Sequence, residues 1–149
     1  ATRLRSHELR RQGFLRAMEA AGVEMMDGWN ICSDLNNGKS AREAFQRFWE
    51  AGNRPDGIVS ANGQSATGIM SYLYEVGVRI PEEISIISYE DSSICGYAAP
   101  ALTSVNTQKE ELGKTAAKCL IERIQNPDKE LEMRVIHPYM VYRNSVKAR

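Results

Sequence analysis

Apolar positions along this chain alternate between two spacings, one typical of amphipathic helices and one typical of short buried strands. The helical spacing predicts helices over 8–21, 40–50, 66–76 and 109–124. Short apolar runs predict strands over 29–33, 58–61, 84–89, 103–106 and 133–142, the last one bent at Pro138. No clear element is predicted between Glu90 and Pro100.

This alternation predicts an α/β fold, because parallel strands are joined by crossover helices. We expect a parallel sheet with helices on both faces. The length of 149 residues corresponds to about one domain, and the composition (42% apolar, 26% charged) is typical of a globular protein. Ser40 is the expected N-cap of the helix over 40–50.

Charge and cysteine content narrow the class of protein. Basic and acidic residues both number 19, so the balance argues against a chain whose main task is nucleic-acid binding, which needs a local basic excess. No apolar run approaches the ~20 residues that span a bilayer, and we expect no targeting segment. Cys32, Cys95 and Cys119 fit neither a disulfide framework nor a zinc site, and we expect them to be reduced in a cytoplasmic protein.

Motifs for catalysis or metal binding are weak. The Gly-Lys-Ser at 38–40 has the ending of a phosphate-binding loop, but Ser33 stands where that motif needs its first glycine. No Gly-x-Ser-x-Gly turn and no Ser–His–acid arrangement is present. The two histidines, His7 and His137, are far apart in the sequence. We therefore expect no catalytic residue, no metal site and no cofactor.

Polar side chains follow two of the predicted strands directly. Asn62 follows the second strand, and Glu90 and Asp91 follow the third. Ligands of open α/β sheets bind beyond the carboxyl ends of parallel strands. If Arg10 of the first helix points into the same crevice, its planar guanidinium adds hydrogen-bond donors there. The combined donors and acceptors of Arg10, Asn62 and Glu90 suit a polyhydroxylated neutral ligand. The alternative is a solvated helix face, a simple turn and a solvated loop.

Six segments also follow one another in a specific order. They are 10–14 (RRQGF), 54–62 (RPDGIVSAN), 77–87 (GVRIPEEISII), 100–105 (PALTSV), 111–113 (ELG) and 142–145 (YRNS). Each is a weak match alone, but the ordered set runs nearly end to end. In this order they resemble the C-terminal portion of the LacI/GalR (lactose-repressor/galactose-repressor) family of bacterial transcription regulators.

The resemblance implies a type I periplasmic-binding-protein-like architecture, in which two α/β lobes are hinged around a small effector and a separate headpiece binds operator DNA. It implies that residues 1–91 form the C-terminal effector-binding lobe. Residues 92–132 would hold a crossover segment and a helix that pack on the N-terminal lobe of a longer parent. Residues 133–149 would form the returning strand and tail.

The function implied by the resemblance is effector binding and dimerisation in a transcriptional repressor. The implied partners are a sugar or sugar derivative, a second copy through the helices over 40–50 and 66–76, and operator DNA only through the missing headpiece. No membrane partner is implied. Two alternatives remain: a periplasmic-type sugar-binding receptor that shares the fold, and an enzyme with a flavodoxin-like sheet.

The effector contacts of the family map onto Arg10, Asn62, Glu90 and the adjacent Asp91, and we expect these four residues to bind the ligand. This sequence departs from the family pattern at two positions. Gly63 stands where the family usually has Asp after the Asn, and Glu90 stands where it usually has Asp. A longer acid shifts the accepting oxygen by about one C–C bond, so the effector could differ from the common sugars.

Overall fold

The predicted alternation of helices and strands is present in the computed structural model, which describes residues 5–23, 26, 28–29 and 37–148. Within these residues the elements are, in chain order, α1 (Arg5–Ala20), α2 (Gly38–Glu50), β1 (Gly57–Ser60), α3 (Gly63–Glu75), β2 (Ser85–Tyr89), α4 (Ser93–Tyr97), β3 (Thr103–Asn106), α5 (Lys109–Gln125) and β4 (Tyr139–Val141). Most of the strand predicted over 29–33 lies outside the described residues.

The four strands form one mixed sheet in the order β1-β2-β3-β4. The first three strands are parallel, with Ile58 opposite Ile86 and Ser88 opposite Ser104, and β4 runs antiparallel to β3. α3 joins β1 to β2, and the segment containing α4 joins β2 to β3, as crossover connections require. The expected α/β fold with a helix-flanked sheet is confirmed, and the antiparallel fourth strand is an addition to it.

Side chains alternate between the two faces of β2. Ile86 and Ser88 are fully buried on the face toward α3, where Ile86 joins the main hydrophobic cluster. Tyr89 points to the opposite face, where the guanidinium of Arg10 from α1 lies over its ring. α1 and α3 therefore lie on opposite faces of the sheet.

The hydrophobic core lies where α2 and α3 pack over the sheet. Its buried members are Phe45, Ala66, Ile69, Met70, Tyr72, Leu73, Ile84, Ile86, Cys95 and Leu102. Phe48 and Trp49 are partly buried against this cluster, and their rings lie 5.8 Å and 6.0 Å from that of Phe45. The apolar stripe predicted over 40–50 is thus the side of α2 that faces the core.

α2 and α3 approach each other closely at two glycines. A Cβ atom on Gly68 would lie 2.0 Å from the carbonyl oxygen of Gly38. The N-cap of α2 is Asn37, whose Oδ1 accepts from the backbone N–H groups of Lys39 (3.0 Å) and Ser40 (3.3 Å). The expectation that Ser40 caps this helix was wrong, because α2 begins two residues earlier than its apolar stripe.

Two stretches differ from their predicted structure. The segment between Glu90 and Pro100, predicted to have no element, contains α4, a helix of 5 residues that is too short to show a periodic pattern. The strand predicted over 133–142 pairs with β3 only at Tyr139–Val141. Pro138 immediately precedes this strand, and a proline has no N–H to offer a neighbouring strand.

The segment after β4 closes the sheet at the start of β2 and β3. The hydroxyl of Ser145 is completely buried; it donates to the carbonyl of Ile86 (2.6 Å) and accepts from the N–H of Thr103 (2.8 Å). The N–H of Arg143 donates to Oγ1 of Thr103 (3.0 Å). These bonds satisfy backbone groups that no strand partner reaches.

Two helices keep apolar surface uncovered by the described residues. α1 contains no buried residue, and Leu9 in its apolar stripe is 55% exposed. α5 also contains no buried residue, and four of its apolar side chains are more than half exposed: Leu112, Leu120, Ile121 and Ile124. None of the helices described is long and apolar enough to cross a membrane.

The close approach of α2 and α3 gives a stability prediction. We expect Gly68→Ala to lower the free energy of unfolding by about 2 kcal/mol or more, because the new methyl group collides with the backbone of Gly38. Gly113→Ala in α5 is the matched control. A Cβ there meets nothing within 4 Å, so this change is expected to stabilise the chain by about 0.5–1 kcal/mol. Urea unfolding of both variants measures the difference, and equal effects would contradict the packing.

Candidate functional site

The candidate site lies at the carboxyl ends of β1 and β2. Ser60 and Ser88 are partners in the parallel register, and Asn62 and Glu90 each follow two residues later, so both leave the same edge of the sheet. Arg10 reaches this edge from α1, donating from Nη1 to the carbonyl of Ala61 (3.4 Å). Arg10, Asn62 and Glu90 therefore lie at the same edge of the sheet.

Arg10 is held by stacking as well as by its hydrogen bond. Its guanidinium lies 4.1 Å from the centroid of the Tyr89 ring, a cation–π contact of about 0.5–1 kcal/mol. Among the described residues, no carboxylate lies within ion-pair distance of this half-buried guanidinium. Tyr89 therefore fixes one plane of the arginine and leaves several of its five N–H donors directed elsewhere.

Asn62 begins α3 and caps it. Its Oδ1 accepts from the N–H of Ser65 (2.9 Å), and its own carbonyl accepts from the hydroxyl of Ser60 (3.0 Å). A residue held from both sides at a helix start has a well-defined position. The simple turn that was the alternative for Asn62 and Gly63 is therefore the capped start of a helix. The role of Asn62 in ligand binding stays a prediction.

The backbone of Glu90 has an unusual conformation. Its φ of 89° lies in the left-handed region, which costs a residue with a side chain about 1–3 kcal/mol. Its N–H donates to the carbonyl of Val105 (3.1 Å), and its carbonyl accepts from the N–H of Ser92 (3.2 Å). The carboxylate is paired, since Oε1 accepts from Nζ of Lys109 in the first turn of α5.

The carboxylate of Asp91 lies in a polar network beside β3. Its Oδ1 accepts from the hydroxyl of Ser104 (2.7 Å) and pairs with Nη1 of Arg143 (2.8 Å), and its Oδ2 accepts from Nδ2 of Asn106 (3.2 Å). Burial by itself would raise the pKa of Asp91. The hydrogen bonds from these three residues and the charge of Arg143 outweigh burial and hold that pKa below its ordinary value.

The packing of α4 accounts for the departure from the family pattern at Gly63. A Cβ atom at this position would lie 2.6 Å from a methyl carbon of Ile94, 2.8 Å from Oγ of Ser92 and 2.9 Å from Sγ of Cys95. The side chains of the Ser92–Cys95 turn occupy the space that an aspartate would need. The acid is therefore missing at this position for a steric reason.

Three residues at or beside the site were not predicted as functional: Tyr89, Lys109 and Arg143. Tyr89 is the last residue of the strongest predicted strand, and Lys109 begins a predicted helix. A search for polar side chains at the ends of predicted strands and helices could have included both. Arg143 belongs to the closing YRNS segment, but its contact with Asp91 depends on how β4 returns to the sheet.

No metal centre is present among the described residues, since no three His, Cys, Asp or Glu side chains there lie close enough to hold an ion. Cys95 and Cys119 are free, as expected, with Cys95 fully buried. Cys32 lies outside the described residues.

Comparison with known proteins decides the family. The model of the family described as "Periplasmic binding protein-like domain" matches residues 1–146. The chain belongs to this periplasmic binding protein-like family. A relative in the family, the HTH-type transcriptional repressor PurR of Photobacterium profundum, is 35% identical over 138 residues, which are 93% of this chain and 41% of that repressor.

Solved structures of family members agree with this assignment. A LacI-type transcription regulator from Bifidobacterium animalis is 28% identical with a TM-score of 0.86, covering 95% of this chain and 51% of that one. A LacI family regulator from Enterococcus faecium with bound ribose is also 28% identical, with a TM-score of 0.79, covering 92% and 50%. The resemblance to the C-terminal portion of LacI-type regulators is confirmed, and the chain spans about half or less of the length of these relatives.

The Asp91 network gives a pH-dependent prediction. At pH 7 we expect Asp91→Asn to lower the free energy of unfolding by about 1.5–3 kcal/mol, because it leaves Arg143 buried without its charged partner. The folded-state pKa of Asp91 lies below the unfolded value of about 3.9, so the wild-type advantage is present above that pH. It is lost as the pH falls further through the folded-state pKa.

Chemical unfolding of both proteins between about pH 7 and pH 2 measures this dependence. Asp56→Asn is the control, because Asp56 is an exposed aspartate at the start of β1. A difference between wild type and Asp91→Asn that stays constant over this range would contradict the assignment.

Proposed function

We propose that this chain is the effector-binding and dimerising part of a LacI/GalR-type transcriptional repressor that acts in the cytoplasm. The observation that supports the proposal is that Asn62 and Glu90 leave the same edge of the sheet after two parallel strands, and that Arg10 reaches this edge from α1. The similarity to PurR and to LacI-type regulators supports it, and these relatives favour a regulator over a periplasmic-type receptor. Operator DNA would be bound by a headpiece in the rest of the parent protein.

The effector in this proposal is a sugar or sugar derivative. Bound ribose in the Enterococcus faecium regulator supports this class. Arg10, Asn62 and Glu90 would contact the effector, and Asp91 would fix the backbone of the loop that carries Glu90. Effector binding would shift the protein between two arrangements of its lobes, and the shift would change the affinity of the repressor for DNA.

The proposed domain arrangement follows from the uncovered apolar surface. Residues 1–91 would form the C-terminal lobe together with α4 and β3, which share its core and its sheet. The rest of 92–132, with α5, would cross to the N-terminal lobe and pack there, and 133–149 would return as strand and tail. The exposed apolar side chains of α5 support this arrangement, because a helix with no buried residue and several exposed leucines and isoleucines has the composition of a packed element.

A homodimer is the proposed assembly, with α2 and α3 at the interface. Phe48 and Trp49 of α2 are partly buried against the core. Tyr74, near the end of α3, is 87% exposed instead. Arg42 of α2 pairs with Glu75 of α3 (2.6 Å) beside it, so the proposed surface joins an exposed aromatic ring to a charged rim.

Ligand screening of the full-length parent protein tests the effector proposal. A thermal-shift panel of sugars, sugar phosphates and nucleosides should include a compound that raises the melting temperature, as selective binding to the folded state requires. Arg10→Ala and Glu90→Ala should each weaken that binding about tenfold or more and leave the fold intact.

Arg16→Ala is the control for the ligand experiment, because Arg16 is an exposed arginine on the same helix. It should bind the compound as wild type does. Unchanged affinity in both site variants would show that the site lies elsewhere, and a panel with no binding compound would reject effector binding by this class.

Sedimentation of the same protein tests the dimer. Tyr74→Asp should raise the dimer dissociation constant about tenfold or more, because it places a charge in an interface that must lose water. Tyr142→Asp changes a comparably exposed tyrosine after β4 and should leave the association unchanged. Equal association of the two variants, or a monomeric wild type, would contradict the proposed interface.

A further inference from the structure

The candidate site carries an unbalanced positive charge among its described residues. Each acid in it already has a cation: Glu90 is paired with Lys109, and Asp91 with Arg143. The position after Asn62 is a glycine and supplies no acid. Arg10 is the charge at this edge that has no partner of opposite sign in the part of the chain that the structure describes; its guanidinium lies over the Tyr89 ring and donates to the carbonyl of Ala61.

The pairing of Glu90 changes what this edge offers to a ligand. From the sequence, Glu90 is an acceptor for the hydroxyl groups of a neutral polyol. In the structure one of its oxygens is occupied by the ammonium of Lys109, so a neutral hydroxyl competes with a cation for that oxygen. The pair itself is partly exposed (31% for Glu90 and 56% for Lys109) and contributes little to stability, so its main effect is on the charge of the site.

The position of Arg10 suits a ligand with two oxygens on one atom. The guanidinium lies over the Tyr89 ring and its hydrogen bond to Ala61 uses one of five N–H groups, so the remaining donors can match the paired oxygens of a carboxylate or a phosphate. Lys109 lies at the same edge; its charge is paired with Glu90, and its other N–H groups can donate to an anion. A half-buried arginine without an acidic partner gains more from an anion than from a hydroxyl group, because the charge-assisted bond is stronger.

We infer that the effector of this protein carries an anionic group, a carboxylate or a phosphate, that Arg10 binds with Lys109 as a second cation. The inference rests on the proposed function and names the class of sugar derivative.

Matched pairs of compounds test the charge of the effector in the full-length parent protein. The probes are D-ribose with D-ribose 5-phosphate, and D-glucose with D-gluconate, so that phosphate and carboxylate are compared separately. By calorimetry and thermal shift, the charged member of at least one pair should bind about tenfold or more tightly than its neutral partner. This preference should shrink as the salt concentration rises from about 50 mM to about 500 mM.

Variants assign the preference to named residues. Arg10→Gln should abolish it, and Lys109→Met should reduce it severalfold. Arg16→Gln and Lys114→Met change exposed residues on the same two helices and should retain it. A Lys109→Arg protein, which keeps the charge, should retain it as well, which separates a role of charge from one of shape.

Each result either supports or overturns the inference. Equal or tighter binding of the neutral members, or a preference that survives in Arg10→Gln, would overturn it. If only neutral compounds of the wider panel bind, effector binding stands and the anionic class is wrong. If no compound of the panel binds, the proposed function fails together with the inference.

Discussion

The arrangement of the candidate site depends on one partly buried ion pair. Asp91 and Arg143 are only 14% and 23% exposed, so water screens their attraction poorly, and either charge without the other would be costly to bury. Ser104 and Asn106 supply the remaining hydrogen bonds of the carboxylate. The pair joins the loop after β2 to the segment after β4, and therefore holds two distant parts of the chain together.

This constraint explains how Glu90 keeps a backbone conformation that is unfavourable for a residue with a side chain. The residue after it is fixed by the ion pair, and its own N–H and carbonyl are bound by Val105 and Ser92. Strain of this kind persists only where the surroundings fix the backbone on both sides. The adjacent acids consequently have different partners: Asp91 is paired with Arg143, and Glu90 with Lys109.

Two glycines allow the helices that pack behind the site to approach each other closely. Gly68 lets α2 and α3 meet almost backbone to backbone, and Gly63 lets the turn into α4 pack against the start of α3. Because α3 begins at Asn62, this packing also sets where the site residue lies. A side chain at position 63 would collide with this turn, so the packing of α4 favours a residue without charge directly after Asn62.

Local patterns in the chain are enough to predict most elements and the sheet edge that carries the candidate site. The apolar spacing predicted β2, β3, α2 and α5 nearly to their observed bounds, and Asn62 and Glu90 share an edge because both follow parallel strands. The partners of the charged groups and the direction of β4 depend instead on how distant parts of the chain come together. Lys109 and Arg143 meet their acids through the β3–α5 junction and the returning strand, and long-range contacts of this kind leave no periodic signal in the chain.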